Sequence, residues 1–329
     1  MNGLADFAPD AGRARVLDRH MRERLGTSLR YIVEQADGRI PIVRPAIEGF
    51  FARLTEGPVA ATIFGAYCDL VLAIDDDRLE LAKALLSEIG AAPNRPAELR
   101  IRDLADPLLD PIAERYVRLI DSDPASPFTV LPPPAEVAAA CRARIAAAFS
   151  LLDAGDPALA SEIRALIGEI VIAVGPDDPK APTFDGASAF MLWGAIMLNA
   201  RGHRTVLEMA QALAHESGHN LLFGLCADGP LVENDDEPRY ASPLRADPRP
   251  MDGIVHATYV TARMHRAVTQ LLRDGVLDGA ATAEAQASLA AHRRAFEQGI
   301  EVIDRDARLT ERGQAIMAGA RAHMALGAP

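Results

Sequence analysis

The chain has 329 residues, 49% of them hydrophobic and 24% charged, with a formal net charge of −12 at pH 7. This length allows one large domain or two smaller ones with a sizeable core. The negative charge and the lack of a basic stripe argue against a nucleic-acid partner. The three widely spaced cysteines, Cys68, Cys141 and Cys226, indicate a reducing compartment without a disulfide framework.

No export or membrane segment is expected. Residues 1–24 carry mixed charge and have no apolar stretch of the kind found in signal peptides. The longest apolar run, residues 59–74, is too short to span a bilayer and contains Asp69. The sequence therefore predicts a buried helix there, no membrane partner and a cytoplasmic protein.

Apolar residues at helical spacing dominate the first half of the chain. They predict helices over residues 14–36, 44–54, 59–74, 77–89, 110–121 and 135–152. This half carries no recognisable catalytic constellation. We expect residues 1–155 to form a helical N-terminal lobe and residues 156–329 to form a metal-binding catalytic lobe.

The second half mixes strand and helix patterns. A β-branched run at 167–174 and the segment 190–199 predict strands, and residues 253–273, 281–306 and 309–326 predict helices. By analogy with zinc peptidases, the second strand would border the cleft and hold an extended peptide. On the alternative interpretation, Trp193 and the methionines of this segment are core residues. The expected fold class is mainly α with a small β-sheet (α+β), with a helical N-terminal half and a zincin-like C-terminal half.

The most informative motif is the HExxH array, in which His215 and His219 flank Glu216. Residues four apart lie on one face of a helix, so both imidazoles can bind one metal ion. Glu216 lies one step around the helix, where it can orient or deprotonate a water molecule on that ion. Thr205 and Glu208 predict a capping box that starts this helix, and residues 227–230 predict its end.

A catalytic metal site needs a third protein ligand. His256, near the start of the next amphipathic helix, is the best candidate, and a packed core histidine is the alternative. Glu233 and Glu237 are the candidates if the site is of the gluzincin type, although they lie close to the end of the HExxH helix. The metzincin pattern is excluded because Leu225 occupies the position of its third histidine. The remaining histidines of the C-terminal helices, His265, His292 and His323, are expected on helix surfaces.

Between the HExxH motif and His256, residues 242–250 contain two arginines and three prolines. Proline fixes the backbone, so Arg245 and Arg249 would be held with little conformational freedom to lose. Guanidinium groups near a metal are suited to bidentate capture of a carboxylate. The alternative is that they pair with Asp247, Asp235 or Asp236 and simply lock the loop.

Three blocks in this order, namely HExxH, Ser-Pro-Leu-Arg with Asp-Pro-Arg-Pro, and Gly-Ile-Val-His-Ala, resemble the HExxH-motif peptide-modification proteins. That family is associated with ribosomally made, post-translationally modified peptides, and the resemblance covers residues 188–263. It implies a non-haem Fe(II), 2-oxoglutarate-dependent oxygenase that hydroxylates a side chain of a precursor peptide, at a β-carbon.

The resemblance also implies roles for individual residues. His215, His219 and His256 would hold iron, and Arg245 or Arg249, with Ser242, would hold the carboxylate of 2-oxoglutarate or of the substrate. Tyr259 and Trp193 are candidates for contacts around the substrate.

The ligands themselves do not decide the chemistry, because three imidazoles suit zinc at least as well as iron. The runner-up function is a zinc metallopeptidase with Glu216 as general base and an arginine that grips the carboxyl terminus of the substrate. The third hypothesis is a non-catalytic peptide-binding module with a structural metal. It is the weakest, since structural zinc normally has four protein ligands and the sequence offers three.

Overall fold

The fold is mainly helical with one small mixed β-sheet, so the α+β class predicted from the sequence is confirmed. The structure is a computed structural model that describes residues 5–36, 38–96, 98–109, 112–121, 127–178, 181–237, 239–242 and 247–326. No helix within these ranges combines the length and the apolar character needed to cross a membrane.

The helices follow the predicted segments closely in both halves of the chain. They are α1 (Ala11–Gln35), α2 (Arg44–Glu56), α3 (Ala61–Asp75), α4 (Leu79–Ala91), α5 (Ala113–Ile120), α6 (Ala135–Gly155), α7 (Pro157–Leu166), α8 (Val206–Leu225), α9 (Met251–Arg273), α10 (Gly279–Asp306) and α11 (Glu311–Ala325). Only α7 was not predicted. The sequence nevertheless contains the usual signals of a helix start, Asp156 followed by Pro157. In the structure, Pro157 occupies the first helical position and the Asp156 carboxylate accepts a hydrogen bond from the Leu159 amide.

The sheet contains four short strands in the order β1-β2-β4-β3. They are β1 (Arg100–Asp103), β2 (Glu169–Ala173), β3 (Gly186–Ala187) and β4 (Ala195–Asn199). β2 pairs in parallel with β1 and with β4, and β3 pairs antiparallel with β4. β1 was not predicted, since a run of four residues with three charges carries little strand signal.

The predicted strand over 190–199 is wrong in its first half. Phe190–Leu192 form a short 3-10 helix, and Gly194 has a φ of 82°, a left-handed conformation that interrupts an extended chain. The strand begins only at Ala195. Because β4 lies inside the sheet, between β2 and β3, the analogy with a substrate-holding edge strand is also wrong.

Packing groups the chain into two compact units, each built from separate segments. The first comprises Met1–Ala14, Ala140–Ala165 and His203–Pro329, and the second comprises Arg15–Ala139 and Leu166–Gly202. This grouping differs from the expected contiguous lobes 1–155 and 156–329. Part of the reason is that β2 pairs with β1 and β4 pairs with β2, so residues 166–202 join the sheet of the earlier part of the chain.

Within the first unit, α9 packs against both α8 and α10 at glycine contacts. A Cβ atom on Gly218 of α8 would lie 3.1 Å from Val260 of α9. A Cβ atom on Gly299 of α10 would lie 2.1 Å from the hydroxyl of Thr258. Such close approach brings the HExxH face of α8 against the first turns of α9, where His256 lies.

Candidate metal centre

The HExxH helix begins where the sequence predicted. The Thr205 hydroxyl accepts a hydrogen bond from the Glu208 amide at 3.0 Å, and the Glu208 carboxylate accepts one from the Thr205 amide at 3.1 Å. This confirms the capping box. His215 and His219 lie in the middle of α8, where backbone hydrogen bonds hold the helix firmly.

The two imidazoles of the motif converge through the same type of nitrogen. Nε2 of His215 lies 3.2 Å from Nε2 of His219, and the rings stand edge to face at 72°. Two nitrogens bound to one tetrahedral ion at ordinary zinc or iron distances are about 3.3–3.4 Å apart. The pair is therefore spaced as two adjacent ligands of a single metal ion.

Both imidazoles are held in the neutral form that a metal requires. Burial lowers the pKa of His215 to about 4, with a smaller contribution from His203. Burial also lowers the pKa of His219 well below its usual range, with contributions from His215 and His256. Neutral imidazoles keep a lone pair available, whereas imidazolium cannot bind a metal.

Glu216 places a carboxylate beside this pair. Its side chain is buried, and Oε1 lies 3.9 Å from Nε2 of His215, the nitrogen that faces His219. A carboxylate at this distance is placed to accept a proton from a water molecule near the two nitrogens, or to orient that water.

His256 meets His219 from the other side of the ring. Nδ1 of His256 lies 3.5 Å from Nδ1 of His219, and the ring planes differ by 20°. The two nitrogens of an imidazole point in different directions, so His256 does not approach the space between the two Nε2 atoms. Among the residues that the structure describes, no three His, Cys, Asp or Glu side chains are grouped to hold one ion. The other candidates for the third ligand, Glu233 and Glu237, are exposed to solvent.

Two residues that the sequence analysis missed complete the surroundings of His256. The ring of Phe223 lies 5.7 Å from that of His256 and 6.3 Å from that of His219. Oδ2 of Asp252 lies 3.7 Å from Nε2 of His256. Helical spacing could have found both, because Phe223 follows His219 by four residues and Asp252 precedes His256 by four.

The arginine loop is described in part. Arg245 lies outside the described residues, and Ser242 is half-buried. Arg249 pairs with Tyr240 through two backbone hydrogen bonds, and its Nε lies 2.9 Å from the Asp247 carboxylate. The predicted alternative, in which a loop arginine pairs with Asp247, is thus confirmed for Arg249. This residue immediately precedes Pro250, the N-cap of α9.

Tyr259 and Trp193 are core residues, each only 2% exposed. The Tyr259 ring packs edge-on against Phe7 at 5.6 Å. In the second unit, the Trp193 indole donates a hydrogen bond to the Asp18 carboxylate at 3.3 Å. Burial of this extent supports the core interpretation of Trp193, and it places Tyr259 in the core as well.

The expectation that three later histidines lie on helix surfaces is wrong for His265, and His292 and His323 are half-buried. His265 is 1% exposed, and its Nδ1 lies 3.0 Å from Nε2 of His323. Burial lowers the pKa of His265, His292 and His323 to about 4 in each case. These residues lie on α9, α10 and α11, and the packing of α9 against both other helices encloses them, which helical periodicity within one segment could not reveal.

No protein-family model and no curated protein sequence matches this chain. The family resemblance of its three motif blocks therefore stays a prediction.

Proposed function

We propose that this protein is a non-haem Fe(II), 2-oxoglutarate-dependent oxygenase that hydroxylates a side chain, at a β-carbon, of a ribosomally made precursor peptide. The observation that carries the metal site is the 3.2 Å approach of the two Nε2 atoms of His215 and His219. The identity of the reaction rests on the resemblance of the motif blocks. The C-terminal half would be a zincin-like scaffold that serves an oxygenase.

The ligand arrangement is compatible with iron and with zinc. Catalytic zinc normally has three protein ligands, and in the described part of the chain only the two imidazoles converge. A non-haem iron site must leave coordination positions open for the two donor oxygens of 2-oxoglutarate and for dioxygen. Such iron sites also commonly have three protein ligands, two histidines and a carboxylate, so the choice of iron rests on the resemblance of the motif blocks.

In the proposed reaction, 2-oxoglutarate, dioxygen and a C–H bond of the peptide yield succinate, carbon dioxide and a C–OH group. The bound Fe(II) would supply the activation of dioxygen. His215 and His219 would hold the ion, and Glu216 would orient water or substrate beside it. Arg249, assisted by Ser242 and Arg245, would receive the distal carboxylate of 2-oxoglutarate, with Asp247 giving up its contact as that carboxylate binds.

A zinc metallopeptidase is the second candidate, and one observation favours it. The buried carboxylate of Glu216 lies 3.9 Å from Nε2 of His215, where a general base would remove the proton from an attacking water molecule. An arginine of the 242–250 loop would then bind the carboxyl terminus of a peptide.

The two candidates differ in their products, so product analysis separates them. The protein is purified without oxygen, loaded with Fe(II) or with Zn(II), and incubated with synthetic candidate precursor peptides. We expect the peptide to gain one oxygen atom, with one succinate formed per hydroxylation, only with Fe(II), dioxygen and 2-oxoglutarate. His219→Ala should form neither product. Peptide fragments with Zn(II), and no succinate with Fe(II), would replace the oxygenase with the peptidase.

A further inference from the structure

The His219–His256 contact joins two rings edge to edge. The 3.5 Å between their Nδ1 atoms is much shorter than the 5.7 Å between the ring centres, and the planes are close to parallel. Each Nδ1 therefore faces the other. Two lone pairs in this position would repel and two N–H groups would clash, so the contact is favourable when one ring carries a proton on Nδ1 and the other does not.

Asp252 decides which ring carries that proton. Its carboxylate lies 3.7 Å from Nε2 of His256, and the two residues are four apart in α9. A carboxylate near Nε2 favours the tautomer of His256 that has its proton on Nε2. Neutral imidazole has only one N–H, so Nδ1 of His256 is then an acceptor. His219 must in turn carry its proton on Nδ1, which leaves the lone pair of its Nε2 directed at the space shared with His215.

We propose that Asp252 and His256 are positioning residues that hold His219 in the tautomer able to bind metal, and that His256 is not itself a ligand. The inference rests on the proposed function, because the lone pair on Nε2 of His219 is taken to bind the metal ion. Metal-binding histidines commonly donate their other N–H group to an acceptor, which fixes the ring and raises its basicity. Here the acceptor is a second histidine, oriented by a carboxylate.

The surroundings protect this chain of contacts from water. His256 is 8% exposed, and the Phe223 ring lies against both imidazoles. Asp252 is about half-exposed and lies at the edge of the site. A hydrogen bond shielded in this way is stronger than one in water, and the N–H of a metal-bound imidazole is a better donor than that of a free one.

The relay has two consequences that can be measured separately. In the metal-free protein, His219 should have its proton on Nδ1, which long-range proton–nitrogen NMR correlations of the imidazole detect. Loss of the acceptor should also weaken metal binding by about 10- to 100-fold, the usual effect of removing such a partner.

The test compares substitutions at His256 and Asp252, with cobalt(II) alone as the metal probe. His256→Phe removes the acceptor and keeps a ring, so we expect a mixed His219 tautomer and a 10- to 100-fold rise in the cobalt dissociation constant. His256→Gln restores an acceptor oxygen and should recover much of the affinity. Asp252→Asn should give a smaller loss. His323→Gln, which changes a histidine outside this site, is the matched control and should bind cobalt as the unmodified chain does.

Three results would overturn the inference. If His256→Phe leaves both the tautomer and the affinity unchanged, His256 has no positioning role. In a second result, His256→Phe and His256→Gln both lose cobalt as completely as His219→Ala, with an absorption spectrum that indicates one nitrogen ligand fewer on the cobalt. In that case His256 is a ligand. A wild-type protein that binds no metal would refute the proposed function. The tautomer of His219 in that metal-free protein would still decide the relay, and a proton on Nε2 would refute it.

Discussion

Two groups of buried or half-buried histidines lie in the first compact unit, and they differ in where their nitrogens point. The metal-site histidines are His215, His219 and His256, and the core histidines are His265, His292 and His323. Burial lowers the pKa of every member of both groups. A low histidine pKa therefore reports burial in this protein and does not by itself identify a functional site.

The direction of the ring nitrogens distinguishes the two groups. The Nε2 atoms of His215 and His219 face one shared space beside the Glu216 carboxylate. In the other group, His265 turns its Nδ1 toward Nε2 of His323 and toward the hydroxyl of Thr269, contacts that can be satisfied by hydrogen bonds alone. A metal site needs lone pairs that converge on one point, together with space for an ion.

Loss of metal is the largest expected difference between the two groups. His215→Ala and His219→Ala should each abolish stoichiometric metal binding, because each removes one of the two converging lone pairs. His323→Gln, in the core group, should keep full metal content. Elemental analysis after anaerobic loading with Fe(II) measures this, and loss of metal in His323→Gln would erase the distinction drawn between the groups.

The carboxylate beside the metal-site histidines provides the next test. As general base of a peptidase, Glu216 would contribute roughly 100- to 10,000-fold to turnover, which Glu216→Gln would remove while metal stays bound. In the proposed oxygenase no general base is required for hydrogen abstraction, so Glu216→Gln should retain measurable hydroxylation. Glu208→Gln, on the same helix and compatible with the capping box, is the matched control. Complete loss of activity in Glu216→Gln alone, with metal and 2-oxoglutarate still bound, would count against the oxygenase.

A substitution of Arg249 tests whether a carboxylate-binding residue belongs to the metal site. No such role is proposed for any residue beside the core histidines. Arg249→Ala removes a charge-assisted bidentate contact of about 2–3 kcal/mol if the partner carboxylate is buried. The 2-oxoglutarate requirement should then rise roughly 30- to 150-fold, with little change in peptide affinity. Titration of succinate formation against 2-oxoglutarate measures the effect. Arg239, which pairs with Asp235 in the segment between α8 and α9, is the matched control. Equal effects of Arg239→Ala and Arg249→Ala would contradict a specific role of Arg249.

The core histidines should make the free energy of unfolding depend on pH. Their pKa values of about 4 in the folded chain lie below the ordinary value of 6.5, so the unfolded chain binds more protons between these limits. The contribution of these histidines to the free energy of unfolding is therefore fully present above pH 6.5 and is lost as the pH falls toward 4. Neighbouring positive charges act in the same direction, from Arg293 on His265 and from Arg263, Arg266 and Arg273 on His323.

Urea unfolding of the metal-free protein at several pH values between 7.5 and 4.5 measures this dependence. One histidine contributes a slope of up to about 1.4 kcal/mol per pH unit. His323→Gln keeps an amide that can bond to His265, and it should reduce the slope by up to that amount. An unchanged slope would show that His323 takes up no proton on unfolding in this range.

The sequence by itself determined the local features of this protein. The capping box at Thr205, the i, i+4 spacing of His215 and His219 and most helix boundaries depend on residues within a few positions of one another. Such features follow from helix geometry and capping chemistry, which act over one or two turns. The mostly α class with a small sheet followed from the same patterns.

Only the tertiary structure decided how distant residues meet. Hydrophobic periodicity says that a helix has a buried face, but it does not say which neighbour covers that face. The burial of His265, the interior position of β4 and the pairing of β2 with β1 all depend on packing between segments far apart in the chain. Likewise, the sequence identified His256 as a partner of the motif, and only the packing of α9 on α8 turned its Nδ1 toward the far side of the His219 ring.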